Sequence, residues 1–171
     1  AFHEGAPGHL FENALKFEDA ALPLYRQSSY VTAYGEGWGL YAEQVAAELG
    51  MYDDDPLGEI GYLASYAFRA SRLVVDTGLH AKGWNRQQAI DFMVENSSET
   101  PSSARTEIDR YIVYPGQACS YKVGQTAISR LRDEVSSHRD YDIKRFHDVV
   151  LGAGRIPLAV LERRVRDAFP A

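Results

Sequence analysis

His3-Glu4-Gly5-Ala6-Pro7-Gly8-His9 puts two imidazoles and a carboxylate within seven residues. These are the side chains of zinc-hydrolase chemistry, in which two histidines hold one ion and a glutamate beside it acts as general base. In the familiar HExxH arrangement the histidines lie one helical turn apart. Here the second imidazole stands at i+6, which on an ideal helix is about 600°, or a net 240°, so the rings would not share a face. A departure from α geometry is therefore required. Pro7 and Gly8 could supply it, because proline removes a helical hydrogen bond and glycine tolerates unusual dihedrals. A bulge that absorbs two residues would restore an effective i, i+4 pair. In the competing reading, His3 frays at the end of the chain and His9 caps the helix that follows.

The stretch Tyr34-Gly35-Glu36-Gly37-Trp38-Gly39-Leu40-Tyr41-Ala42-Glu43 adds two carboxylates seven residues apart. That spacing is two turns, so Glu36 and Glu43 share a helix face. Gly37 and Gly39 each cost about 1 kcal/mol relative to alanine inside a helix, which implies that another element packs closely there. A buried helix carrying a metal ligand fits this pattern, and so does a tight helix crossing with two solvated glutamates.

Two further polar groupings follow. Arg72, Asp76 and His80 lie at i, i+4 and i+8 beside an apolar Leu73-Val74-Val75 run. They form one stripe in which Asp76 can bridge its neighbours, either as a buried ion-pair stripe or as a device in which Asp76 orients His80 and Arg72 holds a substrate carboxylate. Tyr114, Gln117 and Tyr121, at i, i+3 and i+7, read as one face at the start of a helix opened by Pro115. Phenols there either pack or donate to a developing oxyanion. His147 reads as a structural, hydrogen-bonded histidine among apolar neighbours, and His138, set among Ser and Arg, as solvent-exposed.

The elements that must position these groups read as helices throughout. The 171 residues are 45% hydrophobic and 25% charged, the composition of an ordinary folded protein, and the length suggests a single all-α domain spanning 1–171. One helix runs from about Gly35 to Leu49, with Gly50 as its stop. A segment from Leu57 to about Lys82 places Ile60, Leu63, Ala67, Ala70 and Val74 at spacings of three and four, which makes it a long amphipathic helix. Asn85 caps a helix through Val94, and Pro101 opens another ending near Ile112; both read as peripheral. Pro115 opens a run to about Ser137, Asp142 caps Ile143 to Leu151, and a last helix follows Pro157. The net charge of −6, from 18 Lys+Arg against 24 Asp+Glu, argues against nucleic acid and against an anionic membrane surface. No apolar run reaches the length of a membrane span. Cys119 is the only cysteine, which excludes an intrachain disulfide and an all-cysteine metal site.

Taken in order, HEGAPGH, YGEGWGLYAE, RASRLVVDTGLHAKGW, YPGQACSYKVG and FHDVVLGAGRIPLAVLE resemble the bacterial family catalogued as domain of unknown function 885, over essentially the whole chain. Members look like distant relatives of helical zinc peptidases of the thermolysin-like group. The resemblance implies zinc held by His3, His9 and Glu36, with Glu4 as general base on the zinc water. By the same resemblance Tyr121, then Tyr114, is the oxyanion donor, while the helix spacings add His80 beside it and set Asp76 and Glu43 as supporting groups. Arg72, Tyr114 and Gln117 would contact a peptide-like substrate. Family members often read HH, an apolar residue and Gln where this chain has His9-Leu10-Phe11-Glu12. They also carry several hundred residues before the first motif, so the chain is expected to be the C-terminal portion of a larger zincin-like helical fold, partnered by the N-terminal portion of the same parent protein. The compartment leans cytoplasmic. The competing class is a non-catalytic helical binding or structural module whose metal site is vestigial or only staples helices.

Overall fold

A computed structural model describes residues 1–170, which form nine helices and no strand. They are α1 His9–Glu18, α2 Leu24–Ser28, α3 Thr32–Glu48, α4 Pro56–Ala81, α5 Arg86–Asn96, α6 Pro101–Val113, α7 Gln117–Val135, α8 Ile143–Leu151 and α9 Leu158–Ala168. Among the described residues no helix is long and apolar enough to cross a membrane.

Local chemistry sets the helix ends. The Asp55 carboxylate accepts from the Gly58 amide ahead of α4, and Asn85 and Gln88 close a reciprocal capping box on α5. Thr100 caps α6 before Pro101, and Asp142 accepts from the Lys144 amide at α8. Gly50 stops the chain after α3 with φ +76°, a left-handed conformation that glycine adopts without a Cβ penalty.

The buried apolar residues form two clusters, and the chain divides into two compact units: residues 1–46 with 123–171, and residues 47–122. The first unit is built around Tyr34, Trp38 and Tyr41 of α3, packed with Ile128, Leu131 and Val135 of α7 and with Phe146, Val150, Leu161 and Val165 from α8 and α9. Every residue of α3 from Tyr34 to Glu43 is buried, so the helix has no solvent face over that stretch. Its glycines make this possible. A Cβ on Gly37 would lie 2.5 Å from Gly124 Cα, and one on Gly124 would lie 1.8 Å from the Ala33 carbonyl oxygen, so α3 and α7 meet backbone to backbone. His147 is hydrogen-bonded to the Tyr41 hydroxyl at 2.9 Å. His138 is half-buried rather than exposed, because its Nε2 reaches the Pro170 carbonyl at 2.9 Å and its ring meets Phe169 edge-on.

The second unit has its own core of Val75, Ala89, Ile90, Met93, Ala104, Ile108, Tyr111 and Ala118. Helices α5 and α6 therefore supply most of an apolar centre; the sparse pattern of Ala89-Ile90-Met93 and Ala104-Ile108 conceals this because alanine carries so little hydropathy. Helix α4 is the long helix its spacing predicts. Its face of Ile60, Leu63, Ala67 and Val74 is exposed, and its buried side is Ser71, Arg72, Val75, Asp76 and Gly78. Tyr114 lies outside α7, as the C-cap of α6, so it does not share a helix face with Gln117 and Tyr121.

Candidate metal centre

In the first unit the N-terminal motif breaks from α geometry by two residues. The His9 amide donates to the His3 carbonyl at 2.8 Å and the Leu10 amide to the Glu4 carbonyl at 2.9 Å, both i→i−6 in place of the helical i→i−4. The excess is accommodated at Pro7 and Gly8. A Cβ on Gly8 would fall 1.9 Å from the His3 carbonyl oxygen, so only glycine fits, and Trp38 Nε1 of α3 donates to the Pro7 carbonyl at 2.9 Å, tying the bulge down.

With the bulge in place the two imidazoles meet edge to face, their centroids 4.7 Å apart, over Gly39 of α3. A Cβ at Gly39 would approach the His3 Cε1 and Nε2 to 2.8 Å and the His9 Cε1 to 3.0 Å. The glycines at 35, 37 and 39 thus serve different neighbours: the Arg155 guanidinium, the α7 backbone and the histidine pair.

Glu36 comes up beside the rings. Its Oε2 lies 3.3 Å from His9 Nε2 and 3.7 Å from His3 Nε2, and its Oε1 accepts from the Tyr30 hydroxyl at 3.0 Å. One donor atom from each of His3, His9 and Glu36 can be chosen so that all lie within 4.8 Å of one another. Zinc bonds of about 2.1 Å give a tetrahedron with edges of about 3.4 Å, so the two measured separations fit that geometry and the N, N, O donor set is one zinc accepts. On the far side of His3, Nδ1 donates to Glu43 Oε1 at 2.7 Å, the carboxylate–histidine relay that usually fixes a ligating ring. His9 lacks this support: its Nδ1 is buried and has no hydrogen-bond partner among the described residues. Burial alone would raise the Glu36 carboxyl, but His3, His9 and the Tyr30 hydroxyl outweigh it and hold the group well below the usual carboxylate range. Glu4, next to His3 on the bulge, has its side chain in solvent.

Behind this cluster lies a buried ion pair. The Arg155 Nε and Nη2 donate to Glu12 at 2.9 and 2.8 Å, and the same guanidinium stacks over the Tyr30 ring. Sequence spacing points to neither Tyr30 nor Arg155, since Tyr30 stands in an irregular segment before α3 and Arg155 in the turn between α8 and α9. The one signal the sequence offers is Glu12 itself, an acid in the first turn of α1.

The remaining candidates belong to the second unit. Arg72 is held by Tyr111 Oη at 2.8 Å and Glu107 Oε2 at 3.1 Å, with Phe68 and Tyr121 against its guanidinium. Asp76 accepts from the Gly116 amide at 3.1 and 3.0 Å. His80 Nε2 lies 3.0 Å from the Tyr111 carbonyl and 3.7 Å from Asp76. The Gln117 side chain accepts from Arg110 at 2.7 Å, and the Tyr114 ring is exposed. Burial, helped by Asp76, pushes the Cys119 thiol up to about 11.

An all-helical unit with a His, His, Glu cluster over a glycine-rich helix narrows the class. Residues 1–165 match the family of bacterial proteins of unknown function DUF885, and the chain belongs to that family. A crystallised "putative lipoprotein" from Colwellia psychrerythraea is similar at 48% identity and a TM-score of 0.93, over 97% of this chain and 29% of that one. A second, from Shewanella oneidensis and of unknown function, is similar at 26% identity and a TM-score of 0.86, over 95% of this chain and 30% of its own. The chain therefore spans about 30% of the length of these structures. No curated protein matches it.

Proposed function

We propose that the first unit is the metal-binding part of a zinc-dependent hydrolase, most simply a peptidase, belonging to a larger zincin-like helical fold. The observation that carries this reading is the convergence of His3, His9 and Glu36 donor atoms within 4.8 Å, with Glu43 bonded to the back of His3. Zinc at such a site supplies Lewis-acid polarisation of a carbonyl and a nucleophile at neutral pH. The chain's own residues do the rest. Glu43 holds His3 so that Nε2 faces the cluster, and Tyr30 occupies Glu36 Oε1 so that Oε2 is the oxygen offered. Glu4 accepts the proton of the attacking group. The substrate is peptide-like, and the cleft is completed by another portion of a longer parent protein. The lipoprotein description of the two similar structures favours a location outside the cytoplasm for that parent, against the cytoplasmic lean of the sequence.

The second reading is a purely structural metal site that joins the N-terminal segment to α3. It is favoured by the depth of the ligands, whose side chains are 10% exposed for both His3 and Glu36.

Two variants separate these readings. Metal analysis of protein purified without chelator should give one zinc per chain, lost in His3→Ala. In the parent protein, Glu4→Gln should keep the zinc and the melting temperature while abolishing peptide hydrolysis. Absence of stoichiometric zinc removes both readings, and a wild type that holds zinc but leaves every peptide intact, with the melting temperature falling on zinc removal, selects the structural one.

A further inference from the structure

Helix α4 packs Phe68, Val75 and Leu79 into the core of its own unit and leaves a second apolar row uncovered. Ile60 is 62% exposed, Leu63 54% and Val74 38%, and Ala67 between them is also exposed. With the half-buried Ala70, these positions are spaced three, four, three and four residues apart, which is the a/d seam of a helix that packs lengthwise against another. The side chains taper along the seam. Ile60 and Leu63 are large, Ala67 and Ala70 are small, and Val74 is intermediate, so a second helix crossing at about 20° would come closest at the alanines. The opposite side of α4 is taken by its own unit through Arg72, Val75 and Asp76.

A membrane surface is a poor occupant. Interfacial helices border their apolar face with Lys and Arg, but α4 has no basic residue before Arg69, carries Glu59 in its first turn, and follows Asp53-Asp54-Asp55. Chain outside this segment is the better one: a relative 48% identical over 97% of these residues devotes only 29% of its length to them. We propose that the seam Ile60-Leu63-Ala67-Ala70-Val74 is the docking surface for an amphipathic helix from the remainder of the parent polypeptide, with large apolar residues facing Ala67 and Ala70. This rests on the parent-chain part of the preceding reading and is independent of the metal.

The test is thiol protection in the polypeptide as the bacterium makes it. In a Cys119→Ser background, Leu63→Cys and, as a second probe, Val74→Cys are pulsed with a maleimide and compared with Lys82→Cys at the exposed end of the same helix. Both seam cysteines should label at least tenfold more slowly than the Lys82→Cys control, at a rate independent of protein concentration and with monomeric mass by light scattering. Labelling at the control rate overturns the proposal. So does protection that fades on dilution together with a dimer-to-monomer shift, which assigns the face to a second copy, or protection that needs added phosphatidylglycerol vesicles, which assigns it to lipid. Circular dichroism identifies a misfolded probe, and the other cysteine then decides. Zinc content read on the same samples keeps failure of the metal site distinct from failure of the seam.

Discussion

The imidazole of His3 gives its Nδ1 to Glu43 Oε1 at 2.7 Å, and that hydrogen bond decides which nitrogen is left for anything else. Glu43→Gln keeps the shape and removes the charge. Loss of such a supporting carboxylate weakens metal binding by about 10- to 100-fold. We expect that loss for zinc in a chelator competition titration, with the melting temperature of the metal-free chain little changed. Equal affinities would detach Glu43 from the site.

The glycines of α3 and α7 should separate site from scaffold. Gly39→Ala meets only the ends of two imidazoles, 2.8 Å from His3, which can move aside. Zinc affinity should fall at least tenfold while urea stability changes by less than about 1 kcal/mol, the helix propensity gained offsetting the crowding. Gly124→Ala meets the Ala33 carbonyl and Gly37 Cα, which are backbone. It should lose about 1–3 kcal/mol despite the better propensity. A stabilised Gly124→Ala would mean that the helices do not cross as described.

The Glu12–Arg155 pair is buried on both sides, and truncating one partner strands the other at a cost of about 3–5 kcal/mol. The environment makes the two truncations unequal. Lys16 is also buried there, and its ammonium is held below its ordinary pKa first by burial, then by Arg155, against the pull of Glu12. Glu12→Leu leaves two cations together and should cost more than Arg155→Leu in chemical denaturation. The double variant Glu12→Leu/Arg155→Leu should recover part of the loss. The reverse order would show that Lys16 is not part of this network.

Glu107 gives a pH signature. Burial would raise its pKa, but hydrogen bonds from Arg110 and Tyr111 and the charges of Arg72 and Arg110 hold it below the ordinary value. The folded chain therefore binds this proton at a lower pH than the unfolded chain. The stabilisation is complete above about pH 4.3, the unfolded value, and is lost as pH falls through the folded one. The melting-temperature gap between wild type and Glu107→Gln should be widest near pH 7 and narrow toward pH 3. A gap that stays constant across that range would rule out the titration.

Cys119 should be inert. With its thiol pushed up to about 11 by burial and by Asp76, little thiolate exists at pH 8. Alkylation by iodoacetamide should run at least tenfold slower than for glutathione and accelerate between pH 8 and pH 11. A fast reaction at pH 8 would place the sulfur in an open setting.

The helical architecture was legible because its punctuation is local: Asn85, Pro101, Asp142 and Gly50 each set a helix end through their own chemistry. The His3, His9 and Glu36 cluster was legible as residue types, and Gly37 and Gly39 announced close packing before its partners were known. Orientation was not legible. Periodicity identifies an apolar face on α4 without saying what lies against it, and in this chain its own unit covers the side that carries Phe68, Val75 and Leu79 together with Arg72 and Asp76. Tyr30 and Arg155 were equally hidden, since both act from irregular segments that no spacing rule reaches.

The i→i−6 turn between His3 and His9 makes the count of intervening residues as important as their identity. Each residue removed or added there rotates the second imidazole by about 100° around the axis of α1. Point changes within Gly5 to Gly8 are graded by how well they fit, but a single deletion would carry the His9 ring away from Glu36 altogether. Across relatives, the length of this turn should therefore vary less than its wording, and a change in length should mark a protein that has given up the site.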